Sequence, residues 1–513
     1  MEPILEKTEY LRHTANTHLH SSQKAKLGQF MTPAPIASFM ASMFSPEKLT
    51  DSVQLLDPGC GIGSLTTAFL SQWQHKIKPD WSIDCFEVDK IMQTFFMQNR
   101  AQVQEELCQR NISFRWNLIT NDFISEAHSR LLENFGIFGE FQDGIYTHCI
   151  MNPPYGKLSH NSKEYRLLRS LGIGTVNFYT AFLSLAILLL KSGGELSVII
   201  PRSFCNGTYF KPFRTLLLKN TAIRKIHLFE SRKKAFQDDN VLQENIILFL
   251  EKNGIQKDIE LSTSTDCSFT DICKKTLSFD HVIDPLDTEQ IIHIPVNSTT
   301  IEPKWQKLLN CTLEDLGIQV STGPVVDFRM RSFLCNQPTS ETVPLLYPCH
   351  FSDHKTNWPK LGGKKPNAIL FHSETLKWLY PCGYYTVLRR FSAKEEKRRL
   401  IASTVEPDQL KQNGVSCRFL AFENHLNVFH ENKQGLPELL ARGLTAFLNS
   451  AYLDSYFREF SGHTQVNAGD LRRLKYPSRK NLLRLGKWYT IHSEKMQESI
   501  DSRLLSFLEE DHA

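Results

Sequence analysis

The chain holds 12 cysteines but no Cys-x-x-Cys pair. Several, such as Cys85, Cys149 and Cys205, sit inside apolar runs. Thiols scattered in this way suit a reducing compartment and argue against a disulfide framework or a zinc site. His13, His18 and His20 fall in a polar opening stretch and read as a solvated helix or arm, not as metal ligands, so no metal is expected. The first residues, Met1-Glu2-Pro3, lack the charged-then-apolar pattern of a secretory leader. Long hydrophobic runs are missing too. The longest, Phe178 to Leu190, is too short to cross a bilayer and reads as a buried helix. There is no internal repeat and no low-complexity tract. A cytoplasmic protein with no membrane partner is expected.

A strong excess of one charge is lacking as well: the net is only +4 over 513 residues. The distribution is uneven, however. Residues 301–480 carry 25 Lys and Arg against 17 Asp and Glu, which leaves the remainder net negative. A basic C-terminal part points to a phosphate-bearing partner. The length predicts two or three domains.

What is present is concentrated at Met151-Asn152-Pro153-Pro154-Tyr155-Gly156, which follows a β-branched and aromatic run at 145–150. Each proline fixes φ and removes a donor N–H, and Pro153 pushes Asn152 out of the helical region. The product is a stiff platform at the carboxyl end of a strand, where open α/β sheets bind ligands. Asn152 offers a side-chain carbonyl and Pro153 a backbone carbonyl, two acceptors for the two hydrogens of a planar amine. Tyr155 offers a ring to stack on a flat partner. The alternative is a plain surface turn, and the rest of the chain decides between them.

Upstream, Thr32 and Pro33 read as the cap and first residue of a helix carrying Ile36, Phe39, Met40, Met43 and Phe44. Such a helix start attracts anions. Next, Val53 to Asp57 reads as a buried strand that runs into Pro58-Gly59-Cys60-Gly61-Ile62-Gly63 and a helix from about Ser64 to Gln74. Strand, glycine turn and helix in that order suit a nucleotide-type cofactor. A second strand ends at Glu87, 24 residues beyond Gly63, near the offset at which a carboxylate takes ribose hydroxyls. After a third strand (about 113–118), Asp122 and Phe123 either hold an adenine or form a polar turn capping the next helix. Further strands are expected at 195–200, 224–229 and 245–250, the last two antiparallel. The class is α/β, with seven strands in a largely parallel sheet.

Past about residue 252 the pattern changes: Ser262 to Asp271 is mostly polar, and from 301 on short apolar runs alternate with turn clusters. Residues 351–400 interleave Lys364, Lys365, Arg389, Arg390 and other cations with Trp358, Trp378, Tyr380, Tyr384, Tyr385 and Phe391. That mixture suits contacts to phosphates and bases, or else a solvated face over an ordinary core. A last helical pattern, about 482–508, reads as a packed tail.

Four stretches now line up in order: Gly28-Gln29-Phe30-Met31-Thr32-Pro33, Asp57 to Gly63, Phe86-Glu87-Val88-Asp89, and Asn152-Pro153-Pro154-Tyr155, with Asn121-Asp122-Phe123 before the last. The set resembles the gamma-class N6-adenine DNA methyltransferases of type II restriction–modification systems. Val320-Ser321-Thr322-Gly323 and the segment Ser461 to Asn467 are similar to fragments of their recognition domains.

The resemblance implies a Rossmann-like catalytic domain over 26–300 after an arm at 1–25. It further implies a C-terminal α+β target-recognition domain at 301–480, followed by a helical tail at 481–513. S-adenosylmethionine would be held by Thr32, Asp57, Gly59, Gly61, Gly63, Glu87, Asp122 and Phe123. Asn152, Pro153, Pro154 and Tyr155 would carry catalysis on a flipped-out adenine of double-stranded DNA. Phe236, or failing it Phe249, would stack beside the base, and Lys364, Lys365, Arg389 and Arg390 would meet DNA. The setting would be a bacterial or archaeal cytoplasm with a separate cognate endonuclease. The same motif also occurs in enzymes that methylate a ribosomal RNA guanine or a protein glutamine. The upstream Thr32-Pro33 segment and the basic C-terminal part favour DNA.

Overall fold

The computed structural model describes residues 3–18, 31–49, 52–133, 143–230, 244–295, 303–392, 396–411, 418–461, 464–492 and 497–510. The chain divides into two compact units, Met1–Ile294 and Pro295–Ala513.

The first unit is built on one sheet. Its strands are β1 (Gln54–Pro58), β2 (Ser82–Phe86), β3 (Arg115–Ile119), β4 (Tyr146–Met151), β5 (Leu190–Pro201), β6 (Thr221–Phe229), β7 (Asn245–Lys252), β8 (Ile259–Ser264) and β9 (Cys273–Leu277). They lie in the order β3-β2-β1-β4-β5-β7-β6-β8-β9. Strands β1 to β5 are mutually parallel. β7 is antiparallel to both of its neighbours, β5 and β6. The helices are α1 (Pro3–His18), α2 (Ala34–Ala41), α3 (Ser64–Trp73), α4 (Lys90–Gln109), α5 (Phe123–Glu133), α6 (Lys163–Ser170), α7 (Phe178–Leu189) and α8 (Lys211–Asn220). The central strands β1, β4 and β5 are buried over most of their length because both faces are covered, whereas the edge strand β3 leaves Arg115 and Asn117 exposed. The core joins Ile36 and Met40 of α2, Phe69 of α3, Leu55 of β1 and Phe249 of β7.

The sheet therefore has nine strands where seven were expected. β8 escapes a search for apolar runs because its buried positions include Ser262 and Ser264. Both hydroxyls bond to the imidazole of His227 on β6, at 2.9 and 3.1 Å. Burial lowers the pKa of that ring to about 4, so it is neutral and can accept one bond while donating the other. Strand β5 begins at Leu190, earlier than the expected 195, and takes in Gly193 and Gly194. These glycines lie in a bulge: the register with β4 jumps from Tyr146 opposite Leu190 to His148 opposite Glu195.

The opening segment is a packed helix. Ile4, Leu5, Leu11 and Ala15 of α1 are buried, which the polar look of residues 1–25 conceals.

The second unit combines three small sheets with helices among its described residues. One sheet orders Gln319–Thr322, Leu426–His430, Tyr385–Arg389 and Ala402–Val405, all antiparallel. A second holds five short strands, and a third pairs Phe351–Ser352 with Lys355–Thr356. Helices α9 (Glu438–Leu448) and α10 (Arg479–Ile491) cross at reciprocal glycines. A Cβ on Gly443 would run into the Leu482 carbonyl, and one on Gly486 into the Leu439 carbonyl. Ten described cysteines are free, but Cys382 is disulfide-bonded, against the expectation of reduced thiols throughout. No described helix is long and apolar enough to cross a membrane.

Candidate active site

Four neighbouring strands each end in one part of a single site. β1 runs into the glycine turn, β2 stops before Glu87, β3 before Asn121-Asp122, and β4 before Asn152. Strand order reverses between β1 and β4, the place where open α/β sheets take ligands. A cavity of about 380 Å³ opens there.

Gly59, Gly61 and Gly63 have φ of 79°, 57° and 85°, a left-handed run that side chains resist. At Gly63 a Cβ would also press on the Phe96 ring at 3.1 Å. The Gly61 N–H donates to Glu87 at 3.0 Å, and the Asp89 N–H donates to its other oxygen at 2.8 Å. The carboxylate after β2 thus holds the turn after β1. Burial raises the Glu87 pKa, although these two bonds oppose the shift. Asp57 is fully buried and accepts from the Thr66 hydroxyl at 2.6 Å, while its second oxygen has no partner. Burial pushes Asp57 up to about 7 against the pull of Thr66.

The Asn152 amide is fixed from two sides. Its Nδ2 donates to Thr32 Oγ1 at 3.0 Å, and the Tyr155 hydroxyl donates to its Oδ1 at 2.9 Å. Tyr155 is only 8% exposed and stands edge-on to Tyr179 at 6.3 Å. Burial holds its phenol far above the usual range, so the proton stays on the oxygen and the bond to Asn152 persists. Each such bond contributes about 1 kcal/mol, and the pair sets which face of the amide looks outward.

Thr32 does not cap α2. The cap position is Pro33, and no side-chain oxygen of the cap serves the helix. Its first free N–H, on Ala34, donates instead to the Glu9 carboxylate at 3.0 Å. The anion expected at this helix start is therefore supplied by α1.

Phe123 stands 5.1 Å from Phe86 and 5.0 Å from Phe182, so rings flank the cavity. Asp122 accepts from the Ser125 N–H at 2.8 Å, as a turn capping the next helix would, and it also lines the cavity.

A family model described as Eco57I restriction-modification methylase matches residues 62–236. The chain is 45% identical over 511 residues to the type II methyltransferase M.BsuBI of Bacillus subtilis, with 99% of each chain covered. It belongs to the type II methyltransferases of restriction–modification systems. It is also 40% identical to M.PstI of Providencia stuartii, covering 92% of this chain and 91% of that one. In fold it is similar to MmeI, a type IIL restriction-modification enzyme solved with DNA: TM-score 0.54 and 10% identity over 98% of this chain and 81% of that one.

In this methyltransferase Thr32, Gly59, Gly61, Glu87, Asp122, Phe123, Asn152 and Pro154 line one cavity. Asp57, Gly63, Pro153 and Tyr155 are not among its lining residues. Phe178 and Phe182 of α7 and Glu164 of α6 do line it and were missed. The Phe178 to Leu190 run was legible as a buried helix, but nothing in it marks which ring meets a ligand. Phe236 lies outside the described residues. Phe249 packs edge-on against Phe44 in the core and does not line the cavity.

In the second unit of the methyltransferase, Lys364 is exposed and Lys365 pairs with Asp327 at 2.7 Å. Arg389 pairs with Glu396 at 3.3 Å, and Arg390 donates to the Asn424 carbonyl at 3.1 Å. Trp358, Tyr380 and Tyr385 are core residues rather than an aromatic face. Among the described phenylalanine, tyrosine and tryptophan side chains of this unit, Phe328 and Phe371 are exposed, at 61% and 50%.

Proposed function

We propose that this enzyme transfers a methyl group from S-adenosylmethionine to the N6 amine of an adenine flipped out of double-stranded DNA. In its host it protects those sites from a cognate endonuclease acting on the same sequence. Residues 26–300 carry catalysis and 301–480 recognise the target, with 481–513 as a helical tail. The observation that carries this reading is the Asn152 amide, pinned by Thr32 and Tyr155 at the edge of a cavity lined by Glu87 and Phe123.

The residues fit the cofactor. Glu87 suits the ribose hydroxyls, Asp122 the adenine amine, and Phe123 with Phe182 the faces of that ring. Left-handed glycines keep side chains out of the turn. Bound there, S-adenosylmethionine supplies an electrophilic methyl group.

The chain's own part is binding and orientation. An adenine amine is a poor nucleophile because its lone pair is delocalised into the ring. Asn152 Oδ1 and the Pro153 carbonyl accept its two hydrogens, which draws the nitrogen toward tetrahedral geometry and frees the pair. Tyr155 has two tasks: its hydroxyl orients the amide, and its ring lies against the target base. Positioning and fixed dipoles supply most of the rate. Flipping costs a few kcal/mol. Contacts from Lys364, Lys365, Arg389 and Arg390 offset that cost once Lys365 and Arg389 exchange their carboxylate partners for phosphates.

The test is methyl transfer from labelled S-adenosylmethionine to plasmid DNA, followed by nucleoside analysis. N6-methyladenine is the expected product. A methylated cytosine, or label only in ribosomal RNA or protein, would falsify the assignment.

A further inference from the structure

Two adjacent residues of α1 reach the cavity from behind by separate routes. The Thr8 hydroxyl meets Asn99 Oδ1 at 2.7 Å. Asn99, on α4 and 1% exposed, turns its Nδ2 to the Ile62 carbonyl at 2.9 Å and to Thr67 Oγ1 at 3.0 Å. Ile62 belongs to the glycine turn and lines the cavity. The next residue, Glu9, accepts from the Ala34 N–H at 3.0 Å, and Arg12 braces that carboxylate at 2.7 and 3.0 Å. Ala34 follows Thr32 by two residues, and Thr32 receives the Asn152 amide. Leu11 and Ala15 of the same helix pack with Ile62 and Met92, two residues of the cavity wall.

No described α1 side chain lines the cavity itself. Yet its inner face carries Thr8 and Arg12, both buried, beside Glu9. Burying polar groups is costly unless each is paired, and an apolar face would have served a helix with packing as its only task. The polar groups are instead aimed at the two segments that shape the site.

We propose that α1 is a positioning element for methyl transfer. Thr8, acting through Asn99, sets the glycine turn for the cofactor. Glu9, acting through Ala34 and Thr32, sets the Asn152 amide. The inference rests on the assignment of the cavity to S-adenosylmethionine made above.

The experiment uses the full chain and reads two quantities: the Kd for S-adenosylmethionine by calorimetry without DNA, and the single-turnover rate at saturating cofactor. Thr8→Val keeps the shape and loses the hydroxyl. It is expected to weaken cofactor binding about fivefold, one neutral hydrogen bond, with the saturated rate unchanged. Glu9→Ala is expected to lower the rate about tenfold, one charge-assisted hydrogen bond, and to leave Kd within about twofold. Thr8→Ser retains the hydroxyl and is expected to restore Kd, while Glu9→Gln keeps one acceptor for the Ala34 N–H but loses the charge facing Arg12 and is expected to recover part of the rate.

The proposal is overturned if both variants move the same quantity alike, if neither quantity moves, or if the conservative pair fails with the others. A reading on the unaltered protein covers variants that do not fold. Adding S-adenosylmethionine must slow amide hydrogen exchange across residues 3–18, and unchanged exchange there overturns the proposal. If the unaltered chain binds no S-adenosylmethionine, the cofactor assignment falls first and this inference with it.

Discussion

The first unit turns its polar side chains inward around a cavity, whereas the second carries many of its own in reach of solvent. Thr32, Asp57, Glu87, Asn99 and Tyr155 are all buried and held by short bonds. Lys364, Lys365 and Arg389 are exposed; Lys365 and Arg389 make surface ion pairs, and Lys365 also lies over the Tyr347 ring. Buried hydrogen bonds fix geometry because an unmade one costs about 1–3 kcal/mol. Surface pairs are worth about 0–1 kcal/mol and exchange freely. A reaction that needs one arrangement of atoms is thus served by the first kind of polar group. Binding that must form and dissolve along a polyanion is served by the second.

The contrast is tested most severely at Asn152. Asn152→Ala is expected to lower methyl transfer by at least about a thousandfold while calorimetry still finds cofactor bound. A parallel collapse of both would mean that the amide and the cofactor turn are one inseparable structure. Gly443→Ala probes the second unit's dependence on packing instead of polar bonds. Backbone meets backbone at that crossing, so scanning calorimetry should show a Tm lower by about 5 °C. An unchanged Tm would show that the helices slide apart at little cost.

Asp57 gives a pH signature to the inward-facing unit. Its folded pKa of about 7 lies above the ordinary carboxylate value of 3.8, because burial favours the neutral acid. The folded chain keeps a proton that the unfolded chain releases near pH 4. Stability from this group is therefore fully present below that pH and is lost as pH rises to about 7. Asp57→Asn should flatten the fall of Tm across that window, and an unaltered slope would place the titration on another group. Smallest is the effect of replacing Lys364 and Lys365 with Ala together. DNA binding should weaken several-fold and the log–log salt slope should drop by about 2. A slope that does not change would remove this face from the DNA interface.

Much of the first unit was legible because its site elements fall at strand ends with stereochemically restricted residues. The glycine turn, Glu87, Asp122-Phe123 and Asn152 all sit where the residue types require, and β6 and β7 pair antiparallel as expected. What was illegible has a common cause: polar residues satisfied by distant partners. Ser262 and Ser264 made β8 look like a loop until His227 supplied their hydrogen bonds. Thr32 looked like a helix cap, but its hydroxyl belongs to Asn152, 120 positions away. Phe182 read as one more apolar helix residue, because only the folded position of α7 separates a cavity wall from a core. In the second unit the alternation of cations and aromatics was real in sequence but not on one surface, since half of those rings hold the core.

One property of the cavity acquires a meaning in time. Every residue that lines it lies between Met31 and Phe182. Chains are extended at roughly 5–20 residues per second, and domains fold as they emerge. The first unit, ending at Ile294, is therefore out of the ribosome roughly 10–40 s before residues 295–513 have all been added. A nascent chain can assemble this cavity before the unit proposed to choose a DNA target has been fully translated.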